Sequence, residues 1–146
     1  MIVDITKCAC VLLYIFVCIF DIDSKQKDHS INYDLIAKIT AECTMPLCYG
    51  GGINSIEQIE KLIALGVEKV SISSAAIKNP ELISEAANRV GSQSIVITLD
   101  VKKTNPFGKY MVHTHNGKKK SGISPVKLAK EMETRGAGEI IINSII

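Results

Sequence analysis

Charge of one sign is what this sequence most plainly lacks: 17 Lys and Arg stand against 15 Asp and Glu in 146 residues, a formal net charge of +2. So even a balance argues against a general polyanion binder, and no nucleic-acid partner is expected. A membrane-length apolar run is missing too. The longest stretch, Cys8 to Phe20, has 13 residues, short of the roughly 18 needed to span a bilayer. It is a poor signal-peptide core, because Lys7 is its only upstream cation and Asp21 and Asp23 follow where a small-residue cleavage site belongs. No membrane partner is expected. Nor is there a paired cysteine framework. The five cysteines are odd in number and irregularly spaced, which fits a reducing cytoplasm better than a secreted scaffold. Cys8, Cys10 and Cys18 lack the paired spacing of a zinc site, and Cys43 and Cys48 fall in other elements. No metal and no cofactor are expected.

What is present, 47% hydrophobic and 22% charged residues, is ordinary for one globular domain, which at this length buries roughly two thirds of its unfolded surface. Short apolar β-rich runs alternate with amphipathic stretches. Ile15 to Phe20 is continuously apolar, the pattern of a strand covered on both faces. A helix fits Tyr33 to Cys43, and Met45 to Tyr49 is a strand running into Gly50-Gly51-Gly52. Ser55 and Gln58 have capping-box spacing before Ile56, Ile59, Leu62 and Ile63, a helical stripe that stops at Gly66. Val67 to Ser73 is a strand, Asn79 and Pro80 open a helix over 81–90, and Ser94 to Leu99 is a strand ending in Asp100. Asn116-Gly117 signals a hairpin turn, Ser124-Pro125 opens a helix ending at Gly136, and Glu139 to Asn143 is the last strand. The order βαβαβαβ, hairpin, αβ implies a parallel sheet with right-handed crossovers. The stretch from Gly66 to Ser74 is echoed from Gly136 to Ser144, and polar residues recur at strand carboxyl ends. That repetition favours an α/β (βα)8 TIM barrel over a doubly wound sheet. Only five parallel strands and a β-hairpin insertion are found, where a whole barrel takes about 250 residues. Residues 1–146 are therefore expected to form a single incomplete barrel domain, with an atypical start over 1–14.

The candidate chemistry sits at the strand ends. Gly50, Gly51 and Gly52 free backbone N–H groups near the start of a helix, a phosphate cradle or equally a flexible turn. Ser73 and Ser74, beside two alanines, could hold a second anion or simply pack tightly. Asp21, Asp23 and Asp100 would project at one rim, placed for proton transfer or serving only as caps and loop charges. Lys69 begins its strand at the opposite rim, where spacing alone makes it a solvated charge. His113 and His115 alternate on one strand face, but no third ligand is near and Lys118-Lys119-Lys120 would repel a cation. The lysine run is a solvated tip or an element that steers an anion.

Taken together, Phe20-Asp21-Ile22-Asp23, Tyr49-Gly50-Gly51-Gly52-Ile53, Gly66-Val67-Glu68-Lys69-Val70-Ser71-Ile72, Asn79-Pro80-Glu81, Leu99-Asp100-Val101-Lys102 and Gly136-Ala137-Gly138-Glu139-Ile140 resemble the cyclase subunit (HisF) of imidazole glycerol phosphate synthase, from about Ile19 to Ile145. The resemblance implies a cytoplasmic lyase of histidine biosynthesis on a (βα)8 barrel. Such an enzyme takes ammonia from a heterodimeric glutaminase (HisH-like) partner through the barrel. It turns a bis-phosphorylated aminoimidazole-carboxamide ribonucleotide into imidazole glycerol phosphate and the carboxamide ribonucleotide. It further implies that Asp100 is a catalytic acid/base, that Asp21 lies at the active-site rim, and that Gly51, Gly52, Ser73 and Ser74 form one phosphate site. Lys69 would lie at the ammonia entrance, against its solvated reading. The chain departs from the family before residue 15, where the other catalytic aspartate has no counterpart, and at Ser73, where the family has Asn. The family's second phosphate site has no counterpart either. The pattern covers strands two to six of eight, as in a truncated member, inactive alone or a phosphate-binding remnant. Met45 to Tyr49 and Ser73 also resemble paralogues that supply ammonia for sugar amidination in surface-polysaccharide synthesis. An uncovered interior lined by Val17, Leu47 and Ile97 would make the chain self-associate.

Overall fold

The computed structural model describes residues 16–21, 30–104, 108–114 and 117–145. Five strands run parallel and side by side in chain order. β1 (Val17–Phe20) pairs with β2 (Leu47–Gly50), and β2 with β3 (Lys69–Ile72); β3 pairs with β4 (Ile95–Lys103), and β4 with β7 (Glu139–Ser144). Each crossover carries a helix: α1 (Tyr33–Glu42), α2 (Ile56–Ala64), α4 (Glu81–Val90) and α5 (Pro125–Thr134), with a short α3 (Ser74–Lys78) directly after β3. A doubly wound sheet reverses its strand order at a switch point. Here the order never reverses, and the sheet is a partial α/β barrel.

Local chemistry explains the boundaries. Asn32 accepts a hydrogen bond from the Leu35 N–H at 3.0 Å to start α1. The Ser55 and Gln58 side chains complete a reciprocal capping box on α2, and Gly66, at φ +99°, turns the chain out of that helix. Two expected caps behave otherwise. Asn79 closes α3, which the sequence pattern did not reveal, and so α4 begins without a side-chain cap. Ser124 precedes Pro125 as expected, but its side chain makes no capping bond.

The hairpin is β5 (Tyr110–Thr114) with β6 (Lys119–Lys120). Gly117 sits in its turn at positive φ, while Asn116 lies outside the described residues. β5 pairs antiparallel with the far end of β4, Asp100 opposite His113 and Lys103 opposite Tyr110. This pairing carries β4 beyond its expected end at Leu99. Asp100 therefore lies within a strand, not in the loop after one.

One expectation about the faces of the sheet is corrected. Leu47 and Ile97 do not line an open interior: both are buried in the core between sheet and helices, with Ile59, Leu62, Ile83 and Met132, and Val17 packs against them. Cys48 and Val96 are fully buried yet stand outside that core. Barrel strands are apolar on both faces, so period-two alternation cannot say which face meets the helices. Exposed apolar surface lies instead at Val126 and Ile142, beside a groove of about 370 Å³ between α5 and β7.

Candidate functional site

Parallel strands carry all their carboxyl ends to one rim, so residues far apart in sequence meet there. Asp21 leaves β1 with its N–H donating to the Gly50 carbonyl at 2.7 Å. Gly51, at φ +126°, lies so close that a Cβ there would strike the Asp21 backbone carbonyl. The triplet is therefore a close approach of two strand ends as well as a turn. The buried Tyr49 hydroxyl donates to Asp21 Oδ2 at 3.5 Å. Burial, then the charge of Asp21, pushes the phenol above its ordinary range and keeps it a donor. One strand over, Ser73 and Ser74 open α3, with Ser74 buried.

Asp100 stands in a row running across the sheet: Asn143 on β7, Asp100 on β4, His113 on β5 and Lys120 on β6 occupy register positions. Asn143 Nδ2 donates to Asp100 Oδ1 at 3.0 Å and orients the carboxylate. Asp21 and Asp100 are three strands apart, roughly 14 Å across the sheet, and the register sets Asp100 three residues, roughly 10 Å, further along. At that separation they cannot share a proton. Asp23 and His115 lie outside the described residues.

The opposite rim carries Lys69, the first residue of β3, whose Nζ pairs with the Glu139 carboxylate and donates to the Gln93 carbonyl at 3.1 Å. Its side chain is largely buried, so it is a held cation and not a solvated one. Cys18 and Cys48 are register partners beside it. Their shared hydrogen bond lowers the Cys18 thiol against the opposing effect of burial. The same bond, followed by burial, drives Cys48 far above the ordinary thiol range. Between the rims Ser71 and Thr98 hydroxyls meet at 2.6 Å. Polar groups thus mark the inner face from Glu139 to Asn143, roughly 13 Å along β7. Among the described residues no three His, Cys, Asp or Glu side chains group as metal ligands, and no helix is long and apolar enough to cross a membrane.

Comparison with known proteins bears directly on this arrangement. The profile of the family described as "Histidine biosynthesis protein" matches residues 14–146. The chain belongs to that family. Within the histidine biosynthesis family, a relative from Vibrio vulnificus provisionally named as an imidazole glycerol phosphate synthase subunit is 50% identical over 127 residues, 87% of this chain and 49% of its own length. Provisionally named HisF subunits of the same synthase from Leptospira borgpetersenii and Leptospira interrogans are 47% and 46% identical, again over 87% of this chain and 50% of theirs. The chain spans about half the length of the curated relatives it matches. Asn143 and Tyr49 escaped the reading of the sequence as site residues. Their signal was there, a polar group at a strand's carboxyl end and a tyrosine before the glycines, but only register shows that they touch Asp100 and Asp21.

Proposed function

We propose that the chain forms part of the cyclase/lyase subunit of an imidazole glycerol phosphate synthase. In this reading Asp100 is an acid/base, Asp21 a second rim carboxylate, and Gly51, Gly52, Ser73 and Ser74 a phosphate site. The observation that carries it is Asp100 held by Asn143 at the same rim as Asp21 and the glycine turn. The reaction closes an imidazole ring and cleaves a C–N bond, so protons must leave the entering ammonia and reach the departing amine. A carboxylate oriented through one oxygen can take and return such protons at the strand ends. The paired Lys69 and Glu139, with the hydroxyls of Ser71 and Thr98 above them, support entry of ammonia from the opposite rim, supplied by a glutaminase partner. Mutual neutralisation of Lys69 and Glu139 suits passage of a neutral molecule better than an unpaired cation would.

The test is ammonium-dependent consumption of the bis-phosphorylated ribonucleotide by this chain, assayed alone and with a second chain carrying the remaining half of a curated relative. Turnover that requires ammonium supports the reading. Tight ribonucleotide binding without turnover in both assays would make the chain a phosphate-binding module. Ser73, where the resemblance leads one to expect Asn, favours a second reading, ammonia supply for sugar amidination. That reading predicts ammonia release from glutamine with a glutaminase partner, and no consumption of the ribonucleotide.

A further inference from the structure

We propose that the β4–β5–β6 hairpin face carries an anion subsite for a phosphate monoester, built by Lys102, Lys118 and Lys120 beside His113. These side chains line a cavity of about 260 Å³ at the hairpin end of the sheet. It is smaller than the roughly 300–1,000 Å³ of pockets that enclose a whole small molecule, and so suits one charged group. Lys103 also lines it, with its Nζ over the Tyr110 ring at 5.6 Å, and no carboxylate does. Among the described residues none of these lysines makes an ion pair. The nearest acid along the row is Asp100, whose carboxylate is already engaged by Asn143. The ammonium groups of Lys102, Lys118 and Lys120 around one hollow repel each other, and an anion between them relieves that repulsion.

Geometry narrows the ligand. No arginine lines the cavity, so the planar two-point fork that matches a carboxylate is missing. Lysines act as point charges that suit a compact tetrahedral dianion. His113 Nδ1 lies 3.0 Å from the Met111 carbonyl, which can only accept; the ring therefore donates through Nδ1 and turns its other nitrogen away from that bond. Lys120 is the register partner of His113, so an anion held by Lys120 sits beside the ring, which reports its arrival. The site is separate from the glycine turn, which lies on β2, and its existence does not depend on the reaction proposed above.

The experiment titrates inorganic phosphate into the isotopically labelled 146-residue chain and follows the His113 ring and the β5 amides by NMR, against chloride at matched ionic strength. Saturable shifts at His113 with phosphate only are expected. The Lys118→Gln/Lys120→Gln double variant should weaken binding at least about tenfold, the loss of two charge-assisted contacts, while the amide shifts of α2 stay fixed. If that variant loses its fold, Lys102→Gln provides the same comparison. Equal shifts in chloride, or unchanged affinity in the folded variants, would overturn the proposal. So would binding of an RNA oligonucleotide with no response to inorganic phosphate, which would make the face a polyanion surface.

Discussion

Gly51 shows how one residue can serve both fold and site. Its φ of +126° is costly for any side chain, and an added Cβ would also meet the Asp21 backbone carbonyl. Gly122 is the natural control, at φ +79° with open space around it. Gly51→Ala should destabilise by at least about 2 kcal/mol, and by more than Gly122→Ala, which meets the conformational cost alone. Urea unfolding of the two variants checks this; equal losses would mean that the strand ends do not approach as described. The thiol pair makes a second residue-scale prediction. Cys18 is half-buried and its thiol is lowered by the bond from Cys48, whereas Cys48 is buried and held protonated. Iodoacetamide at mildly alkaline pH should therefore alkylate Cys18 well before Cys48, because the thiolate is the nucleophile. Peptide mass spectrometry reads the order, and the reverse order would contradict the assigned hydrogen bond.

Among the elements, α2 is the one whose start was most fully legible: Ser55 and Gln58 announced a capping box, and both reciprocal bonds are present. Ser55→Ala should cost about 1 kcal/mol, measurable in thermal or urea unfolding. Glu57 in the same first turn has its carboxyl lowered by its own backbone N–H and by the Ser55 hydroxyl. A depressed carboxylate stabilises above its unfolded pKa, so that contribution is complete above about pH 4.5 and fades as pH falls through the lower folded value. Other elements were legible only in part. Alternation and glycine stops revealed five parallel strands and a hairpin, but not α3, because five residues of Ser-Ala-Ala-Ile-Lys carry too little periodicity to tell a helical turn from a loop. The length of β4 was hidden for another reason. Asp100 looks like a strand end because it is charged, and only its pairing with His113 keeps the strand going. A partner strand's contribution cannot be read from local sequence.

For the whole molecule, the parallel sheet divides the chemistry between two rims. Asp21, the glycines, Ser73, Ser74, Asp100 and Asn143 lie at the carboxyl ends, while Lys69, Glu139 and the thiols lie at the amino ends. The rim that each candidate would occupy was legible because chain direction fixes it in a βα repeat. What each residue touches was not: spacing alone made Lys69 a solvated charge, the resemblance moved it to the ammonia entrance, and neither revealed its partner Glu139, 70 positions away. The proposed function has Asp100 moving protons in an ammonia-dependent reaction on the bis-phosphorylated ribonucleotide. The most direct measurement is kcat of Asp100→Asn with ammonium as the nitrogen source, using the chain in whichever assembly turns over. The substitution keeps the shape of the side chain and removes its acid/base capacity. A fall of about 100- to 10,000-fold is expected, with ribonucleotide affinity retained. An unchanged kcat would remove Asp100 from the mechanism.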